Sequence, residues 1–291
     1  MDITLTLKCN NYCVFCPRKD FLKAIVCRSQ KEIYSDIEKI RRKTDNIALS
    51  GGEVTLMSNL PEIISFCKEK GFKEIGIITN GRALKNKRLA RDLIQYGVRD
   101  FAVSVYSFNN RIHDRITGRS GSGSDTKKGL LNLIQLSRQY PVSIRVNIVL
   151  NYWNHQDIHR TLEALYACGV RNFIVAEQVI MDKDSKHLSL NEIKKDLEQI
   201  RNIPLRDTRL VLRGFPICLL KGKKVLVPEG FVLKESDPLV ILEKHEVDTL
   251  IKEKSRKSRY LRKFSRLFTR IKPCESCEYA QICMGIQKAY F

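Results

Sequence analysis

The sequence predicts an α/β protein built on a parallel sheet, and three observations carry that prediction. Short β-branched runs alternate with charged, helix-like stretches from residue 3 to about residue 202. Several of these runs are near-continuously apolar, as in Ile75-Gly76-Ile77-Ile78, the pattern of strands covered on both faces. Gly71, Gly97 and Gly169 each follow a helix-like stretch, where a left-handed C-cap belongs.

In order, strands are expected at 3–8, 46–50, 74–79, 100–107, 142–150 and 172–179. Amphipathic helices are expected near 30–43, 60–70, 86–96, 125–140, 154–168 and 189–202, the last with Leu190, Ile193, Leu197 and Ile200 on one face. Asp125 or Ser124 is the expected cap of the fourth of these. Right-handed crossovers can close such a chain into a partial barrel or lay it out as a doubly wound sheet, and periodicity does not separate the two. Either way the reactive groups belong at the C-terminal ends of the strands. After about residue 204 the alternation stops. Residues 209–218 and 223–228 read as a hairpin around Gly222, followed by a basic helical stretch at 252–272 with ten Lys or Arg and one acid, Glu253. This divides the chain into 1–204 and 205–291.

With 291 residues and 43% apolar content the chain can bury a full core, which excludes general disorder. No apolar run is long enough to span a membrane, and Met1-Asp2 leads straight into a strand rather than a signal peptide. A cytoplasmic protein is expected, in which cysteines are thiols and clustered cysteines hold metal. There are ten cysteines. Cys9, Cys13 and Cys16 crowd one end of the chain, and Cys274, Cys277 and Cys283 the other. Cys27, Cys67 and Cys168 read as small packing residues. The net charge of +20 raises an acidic partner or nucleic acid.

Cys9-x3-Cys13-x2-Cys16 directly follows the first strand. Three thiolates on one short loop can each take a different iron of a [4Fe–4S] cubane, leaving the fourth iron open, as catalysis requires. Zinc is the alternative, but no fourth ligand stands at zinc-finger spacing. The second strand ends in Ser50-Gly51-Gly52-Glu53, which alone also fits an ordinary strand-to-loop turn.

Together, the cysteine loop and Gly-Gly-Glu closely resemble the radical S-adenosylmethionine (SAM) enzymes. The resemblance implies a partial (β/α)6 TIM-like barrel with a small C-terminal domain. It implies that Cys9, Cys13 and Cys16 bind a [4Fe–4S] cluster whose fourth iron is chelated by SAM, and that Gly51, Gly52 and Glu53 meet the SAM amino group. Phe15 matches the aromatic residue near the adenine, and Ser104 the fourth-strand serine near the ribose. Thr79 and Asn80, before Gly81, match a loop that approaches SAM or substrate, while Arg145 and Asn147 are candidates for the SAM carboxylate. For Thr79, Ser104, Arg145 and Asn147 a plain strand-end role stands beside these. The implied reaction is reductive cleavage of SAM to a 5′-deoxyadenosyl radical that abstracts hydrogen, with a flavodoxin or ferredoxin as electron donor.

Cys274-x2-Cys277-x5-Cys283, with Cys218 upstream, can close a second [4Fe–4S] cluster or a tetrathiolate zinc site. The arrangement resembles the auxiliary-cluster extensions called SPASM and twitch domains. No further cysteine follows Cys283, so the shorter, single-cluster twitch form is the better match. His113-Asp114, in the loop expected after the fourth strand, reads as a solvated or capping pair. The substrate implied by this family is a peptide or protein, and an acidic one suits the basic stretch. RNA or a nucleotide-like molecule is the alternative, and a non-catalytic metal-binding interaction protein stands in another class.

Overall fold

The computed structural model describes residues 1–16, 28–180, 185–220, 225–226, 241–242, 267–277, 283 and 285–290. Cys27 and all of the basic stretch before residue 267 lie outside the described residues.

Seven strands form one sheet in chain order: β1 (Asp2–Thr6), β2 (Asn46–Gly51), β3 (Glu74–Thr79), β4 (Val98–Ser104), β5 (Ser143–Leu150), β6 (Asn172–Glu177) and β7 (Arg209–Arg213). β1 to β5 pair in parallel, with Ile3 opposite Leu49, Leu49 opposite Ile77, Ile77 opposite Phe101 and Phe101 opposite Ile144. The sheet is open, with β1 and β7 as its edges, as a partial barrel requires. Among the described residues no helix is long and apolar enough to cross a membrane.

The helices are α1 (Gln30–Arg41), α2 (Leu60–Glu69), α3 (Lys87–Tyr96), α4 (Asn110–Thr117), α5 (Ser122–Ser137), α6 (Ile158–Ala167) and α7 (Leu190–Arg201). Local sequence explains most of their ends. Ser29 with Glu32 and Ser189 with Glu192 form capping boxes at α1 and α7, each satisfying two otherwise open N–H groups. Gly97 ends α3 at a φ of 124°, where a side chain would be strained.

The chain folds as two compact units. The first is Met1–Asn147 with Arg160–Asn172; the second is Ile148–His159 with Phe173–Phe291. The first buries Ile47, Leu49, Ile75, Ile77, Phe101 and Val103 from adjacent strands, under Ile63, Leu93 and Leu133 of the helices. In the second, Val175 of β6 and Ile193, Leu197 and Ile200 of α7 are buried.

Three expectations are corrected. The stretch after β4 contains α4, which Asn109 starts by accepting from Arg111 N at 3.0 Å and Gly118 ends at a φ of 63°. At eight residues it is too short to declare itself by periodicity. α5 starts at Ser122 and is capped neither by Ser124 nor by Asp125. The Asp114 carboxylate accepts from Gly121 N and Gly123 N, each at 2.7 Å, so the cap comes from the preceding helix. The hairpin expected around Gly222 is replaced as well. β7 joins the main sheet, and β8 (Val225–Leu226) pairs antiparallel with β9 (Ile241–Leu242). The alternating Arg-Leu-Val-Leu-Arg of β7 suits a sheet edge as well as a hairpin arm, and local pattern cannot choose its partner.

Candidate active site

In the first unit the parallel strands deliver the ends of β1, β2, β3 and β4 to one edge, and the predicted residues gather there. β1 runs into Leu7-Lys8 and the cysteine loop. Gly52 N donates to Thr6 O at 2.7 Å and Glu53 N to Lys8 O at 2.8 Å, so the Gly-Gly-Glu turn lies backbone to backbone against the start of that loop. A Cβ on Gly52 would stand 2.3 Å from Lys8 O, which is why no larger residue fits.

Glu53 is fully buried, and its carboxylate is saturated by its own chain. One oxygen accepts from Thr55 Oγ1 and Thr79 Oγ1, each at 2.6 Å, and from Thr55 N at 3.1 Å. The other accepts from Asn80 N at 2.6 Å. The side chain therefore ties the end of β2 to the end of β3. Thr79 and Asn80 serve the same bracing: Asn80 Nδ2 donates to Asn10 Oδ1 at 2.7 Å.

The cysteine loop is pinned on two sides. Arg82, just after Thr79-Asn80-Gly81, donates to Asn10 O at 2.8 Å and Asn11 Oδ1 at 3.0 Å, and its other nitrogen reaches Asp125 at 3.3 Å. On the far side, Tyr12 N donates to Thr117 O at 2.7 Å and Val14 N to Ile116 O at 2.9 Å, at the C-terminus of α4. The loop sits where the last carbonyls of that helix need donors.

Cys13 is pushed up to about 12 by burial, with the nearby thiols of Cys16 and Cys9 adding and the Tyr106 hydroxyl opposing. Cys9 is raised by burial first, with Glu53 and Cys16 adding. By contrast Cys67, inside α2, reaches about 12 through burial alone, as a packing thiol should. Among the described residues no three His, Cys, Asp or Glu side chains stand close enough to hold a single metal ion. A cubane instead spreads its thiolates over separate irons, so its ligands stand apart.

Tyr106, which sequence reasoning did not single out, organises the inner wall. Its hydroxyl lies 3.9 Å from Cys13 Sγ, its ring meets Phe15 edge-on at 5.0 Å, and its other neighbour is the His113 ring at 5.5 Å. Its place was a signal: Tyr106 lies two residues past the C-terminal end of β4, where reactive groups are expected. His113 is buried and accepts from Tyr106 N at 3.3 Å, and burial holds its imidazole down at about 4. It is thus neutral and structural, while Asp114 caps, which answers how that pair is used.

Ser104 lies opposite Asn147 in the β4–β5 register, and the buried Asn147 Oδ1 has no hydrogen-bond partner. An unmatched buried acceptor beside a strand-end serine is what a ligand-facing wall provides. Arg145 is differently placed: it donates to Asp100 Oδ2 at 3.2 Å, although its Nε is unmatched.

In the second unit, Cys218 sits in a 3-10 turn, Ile217–Leu220. Its thiol is raised by burial first, with Cys283, Cys274 and Cys277 adding. Their local frame is short: Cys277 N donates to Cys274 O at 3.3 Å, and β10 (Phe268–Thr269) pairs antiparallel with β11 (Ile286–Gln287). The buried Gln287 amide anchors the hairpin, accepting from Ile180 N and donating to Gln178 O, each at 2.8 Å. Beside it the Tyr290 hydroxyl bonds to Glu177, whose carboxyl is pushed up to about 7 by burial.

A family model described as the Radical SAM superfamily matches residues 3–165. A "Probable GTP 3′,8-cyclase" of Saccharolobus islandicus is 28% identical over 206 residues, covering 69% of this chain and 65% of that relative. Fe-coproporphyrin III synthase of Methanosarcina barkeri is 25% identical over 224 residues, covering 74% of this chain and 53% of that one. The matches thus span less than two thirds of these relatives' own length. Among solved structures, Streptococcus suis SuiB bound to S-adenosylmethionine aligns with a TM-score of 0.61 at 17% identity, over 99% of this chain and 72% of its own. Native anSMEcpe with bound AdoMet and the Cp18Cys peptide aligns at 0.63 and 14%, over 99% and 88%. At such identities the likeness is one of fold.

Proposed function

Since the chain belongs to the radical SAM superfamily of enzymes, we propose that Cys9, Cys13 and Cys16 hold a [4Fe–4S] cluster and that SAM completes the fourth iron. Bound together, these two groups supply reductive cleavage of SAM to a 5′-deoxyadenosyl radical able to take hydrogen from an unreactive C–H bond. The observation that carries the reading is the cysteine loop, braced by Asn80 and Arg82, against the Gly51-Gly52-Glu53 turn.

This chain's own residues position and shield. Glu53, Asn80 and Arg82 hold the loop in register. The backbone of Gly51 and Gly52 presents the turn to the SAM amino group, Phe15 and Ser104 line its nucleoside side, and Asn147 faces its carboxylate. Tyr106 and His113 close the inner wall to water, which strengthens every polar contact made there. Arg145, engaged by Asp100, orients β5 before it binds any carboxylate.

Residues 1–204 form the catalytic core in this reading, and residues 205–291 an auxiliary domain. Cys218, Cys274, Cys277 and Cys283 bind a second cluster there, for which their cysteine spacing and the influence of the other three on the Cys218 thiol are the support. The substrate is a peptide or protein. Support comes from fold relatives that bind peptides, SuiB with its precursor SuiA and anSMEcpe with Cp18Cys. A nucleotide such as GTP is the second reading, favoured by the cyclases matched over 69% of the chain.

Anaerobic reconstitution tests the proposal. Two loads of about four iron are expected per chain, with 5′-deoxyadenosine released when SAM and dithionite are added. Failure to load iron, or loading without SAM cleavage, would overturn it. Supplying GTP in one arm and a precursor peptide from the same gene neighbourhood in the other separates the substrate readings by which one acquires a new mass.

A further inference from the structure

The turn directly after β5 is tied into a rigid knot. Asn151 and Asn154 are buried in it, at 1% and 0% exposure. Asn151 N donates to Asn154 Oδ1 at 2.8 Å and Trp153 N to Asn151 Oδ1 at 2.9 Å. Both side-chain amides donate to Val149 O, at 2.8 and 2.9 Å. The knot presents Tyr152 and Trp153 edge to face, with ring centres 4.9 Å apart and planes at 89°. Tyr152 is 38% exposed. An exposed tyrosine by itself is ordinary; here a second group joins it.

That group is Lys186, from the segment before α7. Its ammonium lies 5.2 Å from the Tyr152 ring centre and 5.1 Å from that of Trp153, within the ~6 Å over which an aromatic face holds a cation. A lysine ordinarily gives up much rotamer freedom when it binds a partner, and the two rings have already taken part of that freedom from Lys186. The side chain stays exposed, and among the described residues no acid pairs with it. The acids around His155, whose ring lies 6.5 Å from that of Tyr152, are engaged: Glu192 in the α7 capping box, Asp196 against His155 at 3.5 Å, and Asp157 with a partner of its own. The corner is thus a preorganised positive charge flanked by apolar ring faces. An anion can meet the ammonium while an adjoining apolar group lies on Tyr152.

We propose that the corner formed by Tyr152, Trp153 and Lys186 grips the peptide substrate, with Lys186 pairing with a Glu or Asp carboxylate and the Tyr152 ring covering the apolar side chain beside it. The inference rests on the peptide reading above and adds the chemistry the peptide presents, an acidic residue next to an apolar one. The net charge of +20 draws an acidic chain towards the protein. The corner then supplies a fixed partner, so the contact selects for sequence where the net charge selects only for sign.

Trp153 is the single tryptophan of the chain, so its emission reports on this corner. The test is an anaerobic titration of the reconstituted full chain with three probes: a capped heptapeptide of alternating Glu and Leu, the same peptide with Gln for Glu, and GTP. The acidic peptide should shift Trp153 emission, with a Kd that rises as salt is added, and the Gln peptide should bind ~5-fold more weakly. Lys186→Gln should raise the Kd of the acidic peptide ~3–5-fold at an unchanged melting temperature. Lys186→Arg should keep most of the affinity, and Tyr152→Ala should weaken both peptides alike. A silent Trp153, equal binding of the two peptides, or an unchanged Kd in Lys186→Gln would overturn the proposal. So would a shift with GTP alone, which would make the corner a phosphate site. If Lys186→Gln melts lower, the peptide pair and the salt series on wild type decide. SAM cleavage and peptide mass are measured on the same preparations. Wild type that cleaves SAM and modifies a precursor peptide while Trp153 stays silent sinks this inference alone; failure to cleave SAM sinks the proposed function instead.

Discussion

The two cysteine regions of this chain are built in opposite ways. The N-terminal loop is held by the protein: the Asn80 amide, the Arg82 guanidinium, two carbonyls of α4 and the Gly51-Gly52 backbone all grip it. Among the described residues, the C-terminal cysteines are framed by a two-residue antiparallel pairing, a 3-10 turn (Lys272–Cys274) and the Gln287 amide. A catalytic cluster must keep its geometry while one iron exchanges ligands, so its loop is preorganised by a fold that exists without it. An auxiliary cluster with four thiolates can supply the cross-linking itself, as structural metal sites do.

The largest effect that separates the regions concerns metal. Cys13→Ala should lose about four iron and all SAM cleavage while keeping its circular dichroism and melting temperature. Cys274→Ala with Cys277→Ala should also lose about four iron, yet keep SAM cleavage and melt several degrees lower. If the two variants melt alike, the two regions do not differ in what holds them.

Next is Glu53→Ala, which strips the shared acceptor from the turn after β2 and from the end of β3. It should destabilise the fold by about 2–4 kcal/mol, in the range for breaking a buried hydrogen-bonded network, measured by urea unfolding. Gln287→Ala should lower stability by only about 1–2 kcal/mol, with auxiliary iron lost on gel filtration before the catalytic iron.

The smallest effect is one of pH, with opposite signs in the two units. His113 has a folded value of about 4 against the ordinary 6.5, so its contribution is complete above 6.5 and is lost as pH falls towards 4. Glu177 has a folded value of about 7 against 4.5, so its contribution is complete below 4.5 and is lost as pH rises through 7. Melting temperatures across that span should show His113→Asn flattening the acid limb and Glu177→Gln the neutral one.

Legibility followed range. The strands at 74–79 and 172–177 were readable because burial on both faces writes itself into consecutive residues. The thiols were readable because spacing on one loop is a local property. Arg82 and Tyr106 were not: Arg82 matters through Asn10, 72 residues away, and Tyr106 through Cys13, 93 away. α4 was missed because eight residues hold too few turns for a pattern.

By itself, then, the sequence determined the α/β alternation, the family and the identity of the seven candidate thiols, since each rests on residue type at short spacing. Only the tertiary structure decided that Glu53 is a brace saturated by Thr55, Thr79 and Asn80, and that Arg145 answers to Asp100. Hydrogen bonds and burial depend on which strand ends meet at one edge of the sheet, and that meeting is a property of the fold rather than of any local run of residues.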